Sequence, residues 1–308
     1  MVSDATATGA QPTLPELGDP NISWPIERNT RQPQEWHPSF PNKRRSSSPS
    51  SASSAEFSTA NAAIYPNGTK ALSGISLRAF LLGTTFGLSS TAVLLTTTLF
   101  PTPLWRAPFF IAALSLFHFL EFYVTARYNT QAATVSAFLL SSNGWAYNVA
   151  HGSALLECLV TQYFWPGDTR FGRWMSVTEP ISGSAVSVLL LLGVVLTAVG
   201  QIVRTLAMAQ AASNFNHHVQ SERKEGHVLV TQGVYSVLRH PSYFGFFWWG
   251  LGTQLVLGNV VCFVGYAFVL WKFFATRIKR EEAFLVRFFG ADYVQYRQAT
   301  PVGIPGIR

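Results

Sequence analysis

The sequence predicts an all-α, multipass integral membrane protein with about six transmembrane helices, the last two paired as a C-terminal hairpin. Three observations carry this. About half of the 308 residues are hydrophobic (48%) and only 12% are charged. The charges are clustered, so that 79–100, 128–156, 180–203 and 241–271 contain no Asp, Glu, Lys or Arg. A membrane span needs roughly 20 mostly apolar residues, and each of these runs is long enough.

Residues 1–70 are rich in Ser, Pro, Thr, Asn and Ala, with a Ser run at 46–54 behind Lys43-Arg44-Arg45. Such composition buries too little apolar surface to offset ordering entropy, so a disordered tail is expected. Met1 to Thr30 lacks the basic and apolar regions of a signal peptide. The basic triplet is expected to be a cytosolic topology signal, which leaves the sequons at Asn21 and Asn67 unused.

Residues 71–210 form the transmembrane part. Runs 79–100, 128–156 and 180–203 are each expected to span, and the shorter run 107–120 does so if Glu121 and Arg127 find an interface or a partner. An interfacial Glu121–Arg127 pair is the expected arrangement. Four spans from a cytosolic N-terminus return the chain to the cytosol after Val203.

Residues 211–308 form the third region. The run 241–271 opens on Pro241 and carries Gly258-Asn259 near its middle, a poor helix interior and a good turn. It is expected to be two helices of roughly 15 residues, each about 22 Å long, that dip into the bilayer and return. The hairpin brings the polar segments before and after it to one side of the membrane.

The net charge of +7 lies outside the tail, because residues 1–70 hold six basic and six acidic side chains. Most of the excess falls in 204–239 and 272–308, as cytosolic flanks, as contacts to lipid head groups, or as sites for an anionic substrate. No basic and aromatic array for nucleic acid occurs elsewhere. Two cysteines, Cys158 and Cys262, exclude a disulfide framework and a CxxC metal site. The adjacent His217-His218 point in different directions on a helix and lack a carboxylate four residues on, so no metal is expected.

Two constellations could carry chemistry. Asn214 to Tyr243 includes Gln220, His227, Tyr235, Arg239 and His240, with Gly226 and Gly233 suited to close backbone approach. No GxGxxG in a βαβ setting is present, which excludes a Rossmann site. After the hairpin, Arg277 and Glu281 stand four apart and share a helix face. That spacing suits an ordinary intrahelical ion pair; equally, the guanidinium offers a fork to a carboxylate while Glu281 holds it in place.

The co-linear series SNFNHHVQSE, HVLVTQGVY, RHPSYFGFFWW, GTQ, the Glu281-Glu282 pair, FFGADYVQY and TPVGIPGI resembles the isoprenylcysteine carboxyl methyltransferase family of endoplasmic reticulum enzymes. The resemblance is continuous from about Ser213 to Ile307, is weaker at FHFLEFYVTA (117–126), and is absent from 1–70. It implies transfer of a methyl group from S-adenosylmethionine to the α-carboxylate of a C-terminal prenylated cysteine, farnesyl or geranylgeranyl, on CaaX proteins such as small GTPases. It implies cytosolic cofactor-binding segments in which Gln220, His227, Val228, Leu229, Val230, Tyr235, His240, Pro241, Ser242 and Tyr243 hold the cofactor. Arg277 and Glu281 are implied as the substrate and catalytic positions, and Arg239 as a third, on the cofactor loop or its carboxylate. A sterol reductase using NADPH and a non-enzymatic lipid-binding scaffold remain open at this point.

Overall fold

A computed structural model of the chain describes residues 62–100, 102–140, 142–164, 188–223 and 225–308. The tail expected to be disordered, with its basic triplet and first sequon, lies outside the described residues up to 61. Among the described residues the secondary structure is all helical. The long helices are α1 (Leu72–Thr98), α2 (Arg106–Tyr128), α3 (Trp145–Phe164), α4 (Val188–Ala211), α5 (Pro241–Leu257) and α6 (Val261–Phe289), followed by the short α7 (Ala291–Ala299). Leu72–Thr98, Pro103–Tyr128, Val188–Asn214 and Val261–Phe289 are long and apolar enough to cross a membrane. With α3 and the hairpin arm α5, they make up the expected set of six.

Two spans differ from expectation. No helix covers 128–156: α2 ends at Tyr128, short 3-10 turns follow at Thr130–Ala132 and Val135–Phe138, and α3 starts only at Trp145. The reason is that 129–144 is uncharged yet rich in Asn, Thr, Gln and Ser, residues whose side chains compete for backbone hydrogen bonds. The shorter run 107–120 is instead the core of a 23-residue helix, α2. Its continuation past Glu121 becomes possible because that carboxylate finds a cation on α4.

The hairpin forms where Gly258-Asn259 predicts it. Gly258 adopts φ 76° as the left-handed cap of α5, a conformation that costs glycine nothing. Asn259 donates to the carbonyl of Ala154 at 2.8 Å, and the Glu157 carboxylate accepts from the backbone N–H groups of Val260, Val261 and Cys262 at 2.9, 2.8 and 2.7 Å. An anion at a helix N-terminus is favoured by the exposed N–H groups and the dipole, so α3 anchors the turn. The second arm is longer than expected. At 29 residues α6 reaches about 43 Å, past a hydrocarbon core about 30 Å thick, which carries Arg277 and Glu281 beyond the apolar layer.

Helices α4 and α5 touch backbone to backbone. A Cβ on Gly200 would lie 2.6 Å from the Gly245 carbonyl oxygen, and one on Gly252 would lie 2.6 Å from the Thr197 nitrogen. Small residues at such a crossing replace the hydrophobic drive that lipid does not supply. The crossing sets Arg204 of α4 beside the first turn of α5. The C-terminal segment folds back over the hairpin: the Trp271 indole donates to Pro305 O at 2.9 Å and the Arg239 N–H to Pro301 O at 3.0 Å.

Candidate active site

Pro241 opens α5 as the sequence predicts, and the polar loop before it wraps against the far end of α6. Gln220, His227, Val228, Leu229, Val230, Tyr235, Arg239, His240, Pro241, Ser242 and Tyr243 all line one cleft, and Glu281 closes its other side with Phe284, Phe288 and Tyr296. Arg277 does not line this cleft. It lies in an adjoining apolar cavity of about 530 Å³, lined by Tyr147, His151, Phe246, Trp249, Tyr266 and Phe274 among others. Phe215, Asn216, Ser242 and Tyr243 belong to both linings and form the shared wall.

The two glycines do not act as expected. Gly226 and Gly233 take positive φ, but neither lines the cleft; a Cβ on Gly233 would lie 2.3 Å from Gln210 Oε1. The backbone that faces the cleft is Val228–Val230. The Val228 N–H is held by Asn214 Oδ1 at 3.0 Å, whereas none of the hydrogen bonds among the described residues reaches the main chain of Leu229 or Val230. Half-buried main-chain groups of this kind seek polar partners.

Arg277 and Glu281 are on one face of α6 but do not pair with each other. The Tyr243 phenol stands between them: Arg277 Nε donates to its oxygen at 2.8 Å, and the hydroxyl donates to Glu281 Oε2. Arg277 Nη2 donates to the His217 carbonyl, which leaves Nη1 without a hydrogen-bond partner among the described residues. The intrahelical pair gives way because a tyrosine on the opposite hairpin arm reaches both groups. Arg239 is held elsewhere: Nε donates to Glu282 Oε1 at 2.6 Å and Nη1 to Thr300 O at 2.7 Å. His240 donates to the same carboxylate at 3.2 Å and stacks on Tyr243 at 5.5 Å. Glu282 thus clamps the loop before α5 to α6.

Glu121 corrects the expected interfacial pair with Arg127. It is 1% exposed, and its carboxylate accepts from both Nε and Nη2 of Arg204, the latter at 2.9 Å, and from His217 Nε2 at 2.9 Å. A lone charge in each of two apolar runs was the available signal, since intramembrane ions pair with one another. Only the fold shows that the partner is 83 residues away.

The family model for the isoprenylcysteine carboxyl methyltransferase (ICMT) family matches residues 191–287. The protein-S-isoprenylcysteine O-methyltransferase of Saccharomyces cerevisiae is 47% identical over 198 residues, covering 64% of this chain and 79% of the relative. The chain belongs to the isoprenylcysteine carboxyl methyltransferase family. The human protein of the same name is 38% identical over 235 residues, covering 76% of this chain and 75% of the relative. A solved eukaryotic intramembrane Ras methyltransferase of this family superposes with a TM-score of 0.65 at 31% identity, covering 83% of this chain and 85% of that one. The protein is therefore a membrane methyltransferase, and the reductase and scaffold readings fall away. The family match spans both constellations, the polar loop 214–243 and the Arg277–Glu281 face.

The phenols around the cleft are neutral donors. Burial pushes the Tyr235 and Tyr293 phenols well above the usual tyrosine range and the Tyr296 phenol up to about 12. Tyr296 donates to Tyr235 O at 2.6 Å, and Tyr235 to Ala207 O at 3.2 Å. The Tyr293 hydroxyl is buried in the cleft lining with no hydrogen-bond partner among the described residues.

Proposed function

We propose that the protein transfers the methyl group of S-adenosylmethionine to the α-carboxylate of a C-terminal prenylated cysteine, on CaaX proteins such as small GTPases. One observation carries the reading: a polar cleft and an apolar cavity meet at the Ser242–Tyr243 wall, with Glu281 on the polar side and Arg277 on the apolar side.

The cleft suits a nucleoside bearing a cation. The main chain of Leu229 and Val230 and the Tyr293 hydroxyl, without hydrogen-bond partners among the described residues, offer donors and acceptors to a base and a ribose. Glu281 offers negative potential to a sulfonium or an ammonium. S-adenosylmethionine, when bound, supplies a sulfonium-borne methyl that passes to a carboxylate oxygen as its C–S bond breaks, with no proton transferred. The residues accordingly bind and align rather than take protons, since a carboxylate is already ionised at neutral pH.

Arg277 lines the apolar cavity, and its Nη1 would receive one carboxylate oxygen while the other stays nucleophilic. Tyr243 holds Nε and so fixes the plane of the guanidinium. The aromatic cavity lining removes the prenyl chain from water, worth about 0.8 kcal/mol for each buried CH₂. Rate then comes from holding the reacting groups in line in a water-poor space. The reading includes an endoplasmic reticulum membrane location with both termini cytosolic, which the family resemblance and the charged flanks support. The test is methyl ester formation on N-acetyl farnesylcysteine by purified protein in the presence of S-adenosylmethionine. Absence of product with wild-type protein that binds both reactants overturns the reading.

A further inference from the structure

We infer that Glu121 and His217 are positioning residues that act on the substrate carboxylate through Arg277, as the inner end of a hydrogen-bonded chain running from the bundle interior to the site. The inference rests on the Arg277 assignment above and extends it to groups that touch neither reactant.

The chain follows from named contacts. Glu121 on α2 sets both carboxylate oxygens against the Arg204 guanidinium on α4 and, through Oε2, accepts from His217 Nε2 at 2.9 Å. An ionised carboxylate can only accept, so Nε2 carries the proton. His217 lies in the irregular loop after α4, where no helix ladder fixes its backbone. Its imidazole on Glu121, together with the His218 N–H donating to Asn216 Oδ1 at 3.0 Å, holds the peptide whose carbonyl receives Arg277 Nη2. With Nη2 on His217 and Nε on Tyr243, the planar fork of Arg277 has one orientation, and Nη1 is the arm left over.

Arg204 makes the inner end rigid. It packs over the adjacent rings of Phe117 and Phe246, at 5.3 and 5.4 Å from their centroids, and its Nη1 donates to Ser242 Oγ at 3.0 Å. A carboxylate gripped by a fork this enclosed has no rotamer freedom to yield. His217 thus takes its position from the Glu121–Arg204 pair between α2 and α4 as well as from Asn216 in its own loop.

A merely structural role for this buried cluster predicts loss of stability and nothing else. A positioning role predicts that its removal matters only while Arg277 is present. His217→Ala is the first variant, because it leaves the Glu121–Arg204 pair whole. Glu121→Gln is the second, and each is combined with Arg277→Ala. The readout is the affinity of the purified protein for farnesylcysteine relative to its methyl ester, with kcat and KM measured alongside.

His217→Ala is expected to lower kcat/KM by roughly 10- to 100-fold and to bring the acid-over-ester preference to the Arg277→Ala level, with S-adenosylhomocysteine affinity unchanged. In the Arg277→Ala background His217→Ala should cost nothing more. Additive losses in the double variants, or an intact acid preference in His217→Ala, overturn the proposal. If Glu121→Gln does not fold, His217→Ala alone still decides. Failure of the function reading is distinguishable, because wild-type protein would then show no preference for the acid.

Discussion

The polar cleft is walled by two stretches of chain, 211–243 and 281–296, whereas the apolar cavity draws side chains from α3, α4, α5 and α6 and the loop between α4 and α5. The cleft uses main-chain groups, imidazoles and phenols of one loop and the turn that follows it, completed by a carboxylate on α6 and phenols on α7. The cavity uses ring faces spaced along helices that meet only through packing. The difference follows from what each surface faces. A polar ligand needs donors and acceptors at fixed points, which a short irregular segment presents through its backbone. An apolar chain needs area, which helices supply from many sequence positions. Tyr243 belongs to both surfaces and ties Arg277 to Glu281.

The separation can be broken or sharpened experimentally. The largest expected effect is from Arg277→Ala, which should lower kcat/KM for a prenylcysteine by about 100-fold or more, while calorimetric affinity for S-adenosylhomocysteine stays at the wild-type level. A matching loss of cofactor affinity would show that the two surfaces act as one.

The converse substitution is His227→Ala, which removes the ring packed edge-on against Phe289 at 5.3 Å. It should weaken S-adenosylhomocysteine binding by about tenfold and leave KM for the prenyl substrate unchanged. On the apolar side, Gly265 lines the cavity and a Cβ there meets nothing within 4 Å. Gly265→Leu should raise KM for a geranylgeranyl substrate about fivefold more than for a farnesyl one, as measured by initial rates on the two analogues. Equal changes would place the tail elsewhere.

The smallest effect concerns the cleft's frame. Tyr296→Phe removes the bond to Tyr235 O and should cost about 1 kcal/mol of stability, read from thermal unfolding in detergent. The folded pKa of Tyr296, about 12, lies above the unfolded value of about 10. Its contribution is therefore complete below pH 10 and is lost as pH rises toward 12. Tyr296→Phe should remove that part of the alkaline decline.

Much of the cleft was legible because its residues are consecutive and polar in an otherwise apolar chain. Pro241 and Gly258-Asn259 marked the hairpin for local reasons, a fixed φ at a helix start and a positive φ at a turn. The segment 128–156 misled because absence of charge is not presence of apolar surface, and Thr, Ser, Asn and Gln ended the helix early. The Arg277–Glu281 spacing was correct as a shared face but not as a contact, because helix periodicity cannot see a tyrosine arriving from another element. The spacing of Gly226 and Gly233 suggested a ligand approach, yet Gly233 accommodates Gln210.

By itself, the sequence determined the membrane class, the hairpin, the polar loop that lines the cleft and, through its co-linear motifs, the family. These depend on composition, turn chemistry and neighbouring residues, all of which are local. Only the tertiary structure decided that Glu121 belongs with Arg204 and His217, that Glu282 clamps Arg239, and that Arg277 faces the apolar cavity while Glu281 faces the cleft. Such pairings join residues tens of positions apart, and a charged side chain in an apolar run announces its need for a partner without naming one. The backbone contact of α4 with α5 and the return of α6 choose that partner.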